Sequence, residues 1–549
     1  MKFQKLNIFL GLIGLFCVLG CDPKIDAIGE DPYGGGREAL GISLSSQAPS
    51  PDAAYPGDEV TFKAKGLLAW SKPEANQYEF EFYIANEKAK IKSATDTTIT
   101  VIIPENVSSG ITNILLKGQV FYGPNFTVLG NVKIDSDWGI KTGTNGPVFN
   151  YLEHNSQSRS YYLIGGFYTV DGKERSKLAY ISDRGVLADD NSSRYNVSRP
   201  LLYGFTSMSS EQTVNTMSYF SNGQILLSGS YNAYVYNKSY LELNNITVLN
   251  NNLVMDTMMV KVQAWGTSTA TTKIVPRFNG GALQPIIRSF VTAEGKVIAV
   301  GNINTYAQAD YAKSTAIENV YNYKTVASVF RMEKNGNLDA GYRSGDLAGA
   351  KGITDAYMDA AGGIVVVGEF TKFDNETANR IVRLDMDGKI DKAFSTNIGS
   401  GANGVINMVR YNKNAHKLAI VGSFTSFNGK PRQGVAVLNE DGTLDETFVP
   451  KEILGGQVNF ASILKSGKVV ISGTFQKYEG VSRPGFLILD ANGQSTQRFN
   501  VPGAFIGQLF QAVETLTTTG KNGLLLMGNF SRFNGQRIDN IVMLEADFD

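Results

Sequence analysis

Hydrophobic positions in this chain come in short runs cut by Gly, Asn and Asp. From about residue 160 onward the runs fall into one recurring order. VVVGEFTKFDNETANRIVRLDMDGKIDKAF (365–394), LAIVGSFTSFNGKPRQGVAVLNEDGTLDETF (418–448), VVISGTFQKYEGVSRPGFLILDANGQSTQRF (469–499) and LLLMGNFSRFNGQRIDNIVMLEADF (524–548) share it. YLIGGFYTVDGKERSKLAYISDRGVLADD (162–190) is an earlier copy, and two stretched copies open with ILLSGSY (225–231) and VIAVGNI (297–303). The shared glycines, Gly165, Gly229, Gly301, Gly368, Gly422, Gly473 and Gly528, lie 51 to 72 residues apart. In the fifth copy INMVRYN (406–412) reads as the innermost strand, LAIVGSF (418–424) as the second, GVAVLN (434–439) as the third and TLDETF (443–448) as the outermost. A strand that is apolar on both faces is one covered on both sides. A repeat of about 50 residues built from such strands predicts a β-propeller, here of seven blades.

The last copy stops after its third strand. VKIDSDWGIKTGTNGPVFNYL (132–152) aligns with GKIDKAFSTNIGSGANGVINMV (388–409), so residues 132–138 read as an unattached outer strand. That strand is expected to complete the seventh blade, with Trp138 as a closure residue.

Before the repeats the pattern changes. EVTFKAKGL (59–67), YEFEFYIAN (78–86), TTITVIIP (97–104) and TNILLKGQVFY (112–122) are strand-like and separated by Pro, Gly and Asn turns. Phe80 and Phe82 alternate with Glu79, Glu81 and Tyr83, which describes a strand with one buried face. Residues 38–130 therefore read as a small β-sandwich. Trp70, in the loop LLAWSKPEANQ, reads as a loop anchor.

The first residues read as targeting rather than structure. Lys2 and Lys5 precede a short apolar run, LNIFLGLIGLFCVLG (6–20), which ends in Val18-Leu19-Gly20-Cys21. This ending resembles a bacterial lipobox, which implies a signal peptide at 1–20 and lipidation of Cys21. Residues 22–37 (DPKIDAIGEDPYGGGR) then read as a polar, Gly-rich tether. With Cys17 removed and Cys21 lipidated, the mature chain has no thiol left for a disulfide.

Charge narrows the function. Lys plus Arg and Asp plus Glu are 51 each, so no global field draws the chain to nucleic acid. Asp387, Asp391, Asp441 and Asp445 invite a calcium reading, but Asp-Gly turns between strands are what tight hairpins require, and no metal is expected. Arg175, Arg380, Arg432, Arg483 and Arg537 recur before the third strand and read as blade-to-blade bonds. Only His154 and His416 are present, and neither sits in a nucleophile or metal motif; neither a catalytic centre nor a cofactor is expected.

The departures from the repeat carry the functional signal. SYNAYVYNKSYLELNNITVLNNN (230–252) and NTYAQADYAKSTAIENVYNYK (304–324) are insertions between second and third strands. They bring Tyr231, Tyr234, Tyr236, Tyr240, Tyr306, Tyr311, Tyr321 and Tyr323 to one face as candidate ligand-binding residues. Tyrosine offers a flat apolar ring with a polar tip, suited to sugar rings and to protein surfaces alike.

The repeats resemble Delta-60 repeat propellers, strongly over 360–548 and less so over 160–343. The ordering of residues 38–128 is similar to IPT/TIG immunoglobulin-like domains. Together with the lipobox, the chain resembles surface lipoproteins of Bacteroidetes that accompany SusC/SusD-type glycan uptake. The resemblance implies an outer-membrane, lipid-anchored, cell-surface protein whose ligand is a polysaccharide or oligosaccharide. The other reading is a protein-binding component of an outer-membrane complex.

Overall fold

The computed structural model describes residues 39–155, 159–188, 212–236, 239–251, 253–343 and 348–548. The expected signal peptide, Cys21 and the tether at 22–37 lie outside the described residues. The chain divides into a short N-terminal unit, Met1–Ile42, and one large unit, Ser43–Asp549. The large unit is almost wholly β, with one short α-helix, Lys392–Ile398, and two 3-10 turns, Leu67–Trp70 and Pro73–Ala75, among its described residues.

Its first part is one curled eight-stranded sheet. Phe80, Phe82 and Ile84 point inward from Phe80–Ile84, and Val60, Phe62 and Ala64 from Glu59–Lys65. Phe62 lies 4.9 Å from Phe82 and 5.7 Å from Phe126, ring centre to ring centre, so aromatic packing forms the core. One strand escapes the hydrophobic pattern: Glu87–Ala94 sits inside the sheet, between Phe80–Ile84 and Thr98–Ile102. Its lysines point to solvent, where Lys88 pairs with Glu81 and Lys92 with Glu59. Trp70 is half-buried beneath the Lys117 ammonium, 4.0 Å from its ring.

Among the described residues the repeats form seven antiparallel sheets of the same order: an inner strand, a middle strand and a third. The inner strands are Val148–Asn155, Thr213–Tyr219, Arg288–Val291, Ile353–Met358, Ile406–Asn412, Val458–Ile463 and Ile506–Leu516. Neighbours in this series lie against one another, and the last lies against the first. The middle strands are buried throughout, as Ile364–Gly368 and Val469–Gly473 illustrate. The repeated glycine has a backbone cause. A Cβ on Gly422 would collide with the Val405 carbonyl oxygen, where the inner strand bulges between Ile406 and Met408.

The outermost strand of each repeat is shorter than its sequence implies. TLDETF (443–448) contributes one bridge, Leu438 to Leu444, and then turns away. Asp445 causes the turn, because its carboxylate accepts from the Thr447 amide at 2.9 Å and from Lys417 Nζ at 2.5 Å. Asp391 does the same from the Ala393 and Phe394 amides and so caps the helix. In five of the repeats the turn delivers an aromatic ring inward: Trp138, Tyr342, Phe394, Phe448 and Phe499 are all buried.

Adjacent sheets are stitched at the start of the third strand. Asn245, Ser328 and Asn540 hold left-handed backbone there, with φ of 64°, 60° and 68°. Each side chain reaches a carbonyl in the segment leading to the next inner strand: Asn245 to Ala282 at 2.9 Å, Ser328 to Ala350 at 2.6 Å and Asn540 to Thr144 at 2.7 Å. Asn540 therefore joins the last repeat to the first. The same junction is sealed by Val132–Ile134, which pairs antiparallel with Ile541–Ala546 through Val132–Ala546 and Ile134–Leu544. Trp138 is buried there among Leu163, Ala179, Leu525 and Met543.

The two parts of the unit are joined by buried polar bonds. Arg483 Nη1 donates to Ser108 Oγ at 2.9 Å, that hydroxyl donates to the Ser482 carbonyl at 3.1 Å, and Glu87 accepts from the Ser482 amide at 2.8 Å.

Two predictions follow from these contacts. Trp138→Ala should lower stability by about 3–5 kcal/mol, the cost of removing a large buried aromatic, measured by denaturant unfolding. Asp339 tests the acid limb. Burial alone would raise its carboxyl, but bonds from Lys296 and Arg331, both 2.8 Å, outweigh it and bring it from 3.8 to about 2. A carboxyl depressed in the folded state stabilises above its unfolded value and loses that contribution as pH falls. Asp339→Asn should therefore be less stable than wild type at pH 7, and the gap should close as pH falls from about 4 through about 2.

Candidate functional site

Two of the seven sheets carry long hairpins where the others carry short ones. Ala233–Tyr236 pairs with Ser239–Glu242, and Thr305–Ala309 pairs with Tyr321–Thr325. A third hairpin, Thr257–Gln263 with Ala270–Pro276, occupies the connection between these two repeats. The sequence reading missed this third element. Its signal is the alternation in TMMVKVQ and ATTKIVP around the polar turn AWGTST, hidden because the stretch falls inside the widest repeat spacing.

The three hairpins are bonded to one another. Glu242 Oε2 accepts from Asn319 Nδ2 at 2.9 Å and from the Tyr321 hydroxyl at 3.0 Å, which ties the first to the second. Lys273 Nζ donates to Asn319 Oδ1 at 2.7 Å and to the Thr315 carbonyl at 3.2 Å, and the Gln263 amide bonds the Ser314 carbonyl, which ties the third to the second. Burial and the nearby Glu242 carboxylate both raise the Tyr321 phenol far above its ordinary value, so it stays a neutral donor. The same two causes push the Tyr311 phenol up to about 12.

The eight candidate tyrosines separate into three groups. Tyr231, Tyr234 and Tyr306 are buried and correct the expectation of a common exposed face. Tyr234 and Tyr306 each sit one rung from an open tyrosine, Tyr240 and Tyr323, and so leave the opposite face of their hairpin. Tyr231 precedes the first hairpin, donates to the Leu227 carbonyl at 2.6 Å and packs with Tyr234 against Tyr162 and Tyr180. Tyr306 donates to the Gly336 carbonyl at 2.8 Å and meets Phe330 edge-on. Tyr236 ends its strand, and its side chain lies outside what is described. Tyr240, Tyr311, Tyr321 and Tyr323 remain at or near the surface.

Three of these four make a row. Tyr321 and Tyr323 are two residues apart on one strand and stack, with centroids 6.2 Å apart and planes at 25°. Tyr321 bonds Glu242, and Tyr240 lies two residues from Glu242 on the same face of its strand. The ends of the row are open, Tyr323 being 57% and Tyr240 62% exposed. The third hairpin adds a separate apolar face: Met259 stands directly opposite Ile274, and Trp265 projects from the tip with 69% exposure.

The remaining candidates act within the fold. Arg175, Arg432 and Arg483 are buried and bond main-chain carbonyls or Ser108, Arg380 bonds the Glu369 carbonyl, and Arg537 faces Asp539 at 3.5 Å. They do not form an open basic rim. Asp441 accepts from the Thr443 amide and hydroxyl, and Asp387 lies in an exposed turn. Among the described residues, no three His, Cys, Asp or Glu side chains gather as metal ligands.

Comparison with known proteins places the repeats. Residues 362–394, 417–448 and 464–494 match a family model described as a beta-propeller domain of unknown function (DUF5122). Residues 17–124 match the domain of unknown function DUF5008, and residues 128–222 match DUF5124. No curated protein matches the chain. Among solved structures, an auxiliary nutrient binding protein from Bacteroides ovatus is similar at 10% identity, over 92% of this chain and 97% of its own, with a TM-score of 0.27. Another from Bacteroides thetaiotaomicron is 11% identical over 69% and 94%, with a TM-score of 0.20. YCF48 from Cyanidioschyzon merolae is 9% identical over 76% and 98%, with a TM-score of 0.31.

The hairpin junction can be tested directly. Glu242→Ala should leave the cores intact yet speed amide exchange in 305–325 at least tenfold, read by hydrogen exchange with mass spectrometry, while the strand at 364–368 is unchanged.

Proposed function

We propose that this chain is a non-catalytic accessory protein that captures an extracellular polysaccharide on the face built by the three hairpins. The observation that carries the reading is the Tyr240–Glu242–Tyr321–Tyr323 row, in which Tyr321 is fixed by its bond to Glu242 and stacks on Tyr323, and both end rings are left open. Such rings stack on sugar rings, while Glu242, Asn319 and Lys273 supply the polar groups that hydroxyls need. The seven sheets are read as seven blades of one closed ring, which gives the loops a stiff base. Attachment through lipidated Cys21 at the outer membrane, beside a SusC/SusD-type transporter, completes the proposal and rests on the lipobox-like Val18–Cys21. The names of the distantly similar solved structures add no weight to it.

A protein partner is the second reading, favoured by the exposed Met259, Ile274 and Trp265 on the third hairpin.

Affinity electrophoresis of the protein from residue 22 onward against a polysaccharide panel separates them. Retardation by one glycan class is expected, with at least tenfold weaker binding for Tyr240→Ala plus Tyr323→Ala. No retardation by any glycan, with membrane-protein capture that depends on Trp265, would establish the second reading instead.

A further inference from the structure

The inner strands surround a cavity of about 420 Å³ at the axis of the repeats, and no residue of the three hairpins lines it. Its size falls within the range of roughly 300–1,000 Å³ that small-molecule sites occupy. Arg288, Arg410, Asn150, Gln511 and the stacked pair Tyr357–Tyr411 line it, with ring centroids 4.6 Å apart.

The charges there are built unequally. Asp355 is buried and accepts Arg288 Nε at 2.7 Å, Arg410 Nη1 at 2.6 Å and the amides of Ala356 and Val409 at 3.0 and 3.1 Å. The two guanidiniums overcome its burial and hold its carboxyl below the ordinary range, so it stays ionised. Arg410 is fully engaged, since its Nε and Nη2 also donate to the Phe510 carbonyl at 3.2 and 3.1 Å. Arg288 is not. Its Nη1 has only a 3.5 Å contact with the Ile287 carbonyl, and its Nη2 meets no acceptor among the described residues. Two cations therefore share one buried anion, and Asp355 aims the outer edge of Arg288 into the cavity. Glu153, the one carboxylate that lines the cavity, is exposed, so water screens it, whereas Asp355 lies buried behind the two guanidiniums.

We propose that this axial cavity is a second binding site, one that takes an acidic monosaccharide through its carboxylate. The planar fork of Arg288 matches a carboxylate. Gln511 Nε2 is already bonded to Asn150 Oδ1 at 3.1 Å, which leaves Gln511 Oε1 and Asn150 Nδ2 for hydroxyl groups. The tyrosine pair gives the flat wall that a sugar ring packs on. The site is independent of the hairpin face, so either can fail without the other.

Isothermal titration calorimetry of the protein from residue 22 onward tests it, with glucuronate as ligand and glucose and sulfate as comparisons. Saturable glucuronate binding, at least tenfold tighter than glucose or sulfate, is expected. Arg288→Lys keeps a cation beside Asp355 but loses the fork, and should weaken glucuronate at least tenfold. Tyr357→Ala should weaken it as well, whereas Tyr323→Ala should leave it unchanged. Thermal melts confirm that each variant is folded. Absent binding, equal binding of glucose, equal binding of sulfate, or binding indifferent to folded Arg288→Lys would each overturn the proposal.

Discussion

Everything in the large unit depends on one strand being supplied from the wrong end of the chain. The last repeat runs out after Ile541–Ala546, and its missing neighbour, Val132–Ile134, comes from in front of the first repeat. Each sheet has two apolar faces, and a single sheet cannot bury both. Only when the first and last sheets share a core does every face find a partner. Leu163 and Ala179 from the first repeat meet Leu525 and Met543 from the last in that shared core. The Asn540–Thr144 bond repeats at this seam the stitch that Asn245 and Ser328 make between interior neighbours. The seam is thus chemically a junction like the others, although covalently it is a gap.

The architecture was legible because it is dictated by backbone constraints that recur. Gly422 and its counterparts have no room for a Cβ, and the fully apolar middle strands leave no other reading than burial on both faces. What misled was chemistry that resembles a strand locally. TLDETF alternates like a strand, yet Asp445 captures its own backbone and turns the chain inward. Glu87–Ala94 is an interior strand that the hydrophobic pattern passes over, because its lysines are stabilised by cross-strand glutamates rather than by burial.

The candidate site was legible only in part, for a different reason. Tyrosine is at home in a core and on a surface, so composition could not separate Tyr306, whose hydroxyl ends on a buried carbonyl, from Tyr323, whose ring is open. The difference is the face of the hairpin: Tyr306 pairs with Lys324 and Tyr323 with Ala307 one rung on, so the two rings leave opposite faces. The hairpin carrying Trp265 was invisible to a reading based on repeats, since it replaces a connection rather than enlarging a recognised insertion. The axial Arg288–Asp355–Arg410 cluster has no sequence signature at all. Its members come from three inner strands whose register alone brings them together.

The closing strand also sets an order of events. Val132–Ile134 is made before the repeats and its partner Ile541–Ala546 about 400 residues later, so the pairing spans almost the entire run of repeats. Contacts of such long range are slow to form, and until they do both end sheets expose a bare apolar face and an open edge. The growing chain must therefore be kept from pairing elsewhere until Ile541–Ala546 arrives. Completion of the ring is a timing problem as much as a packing one.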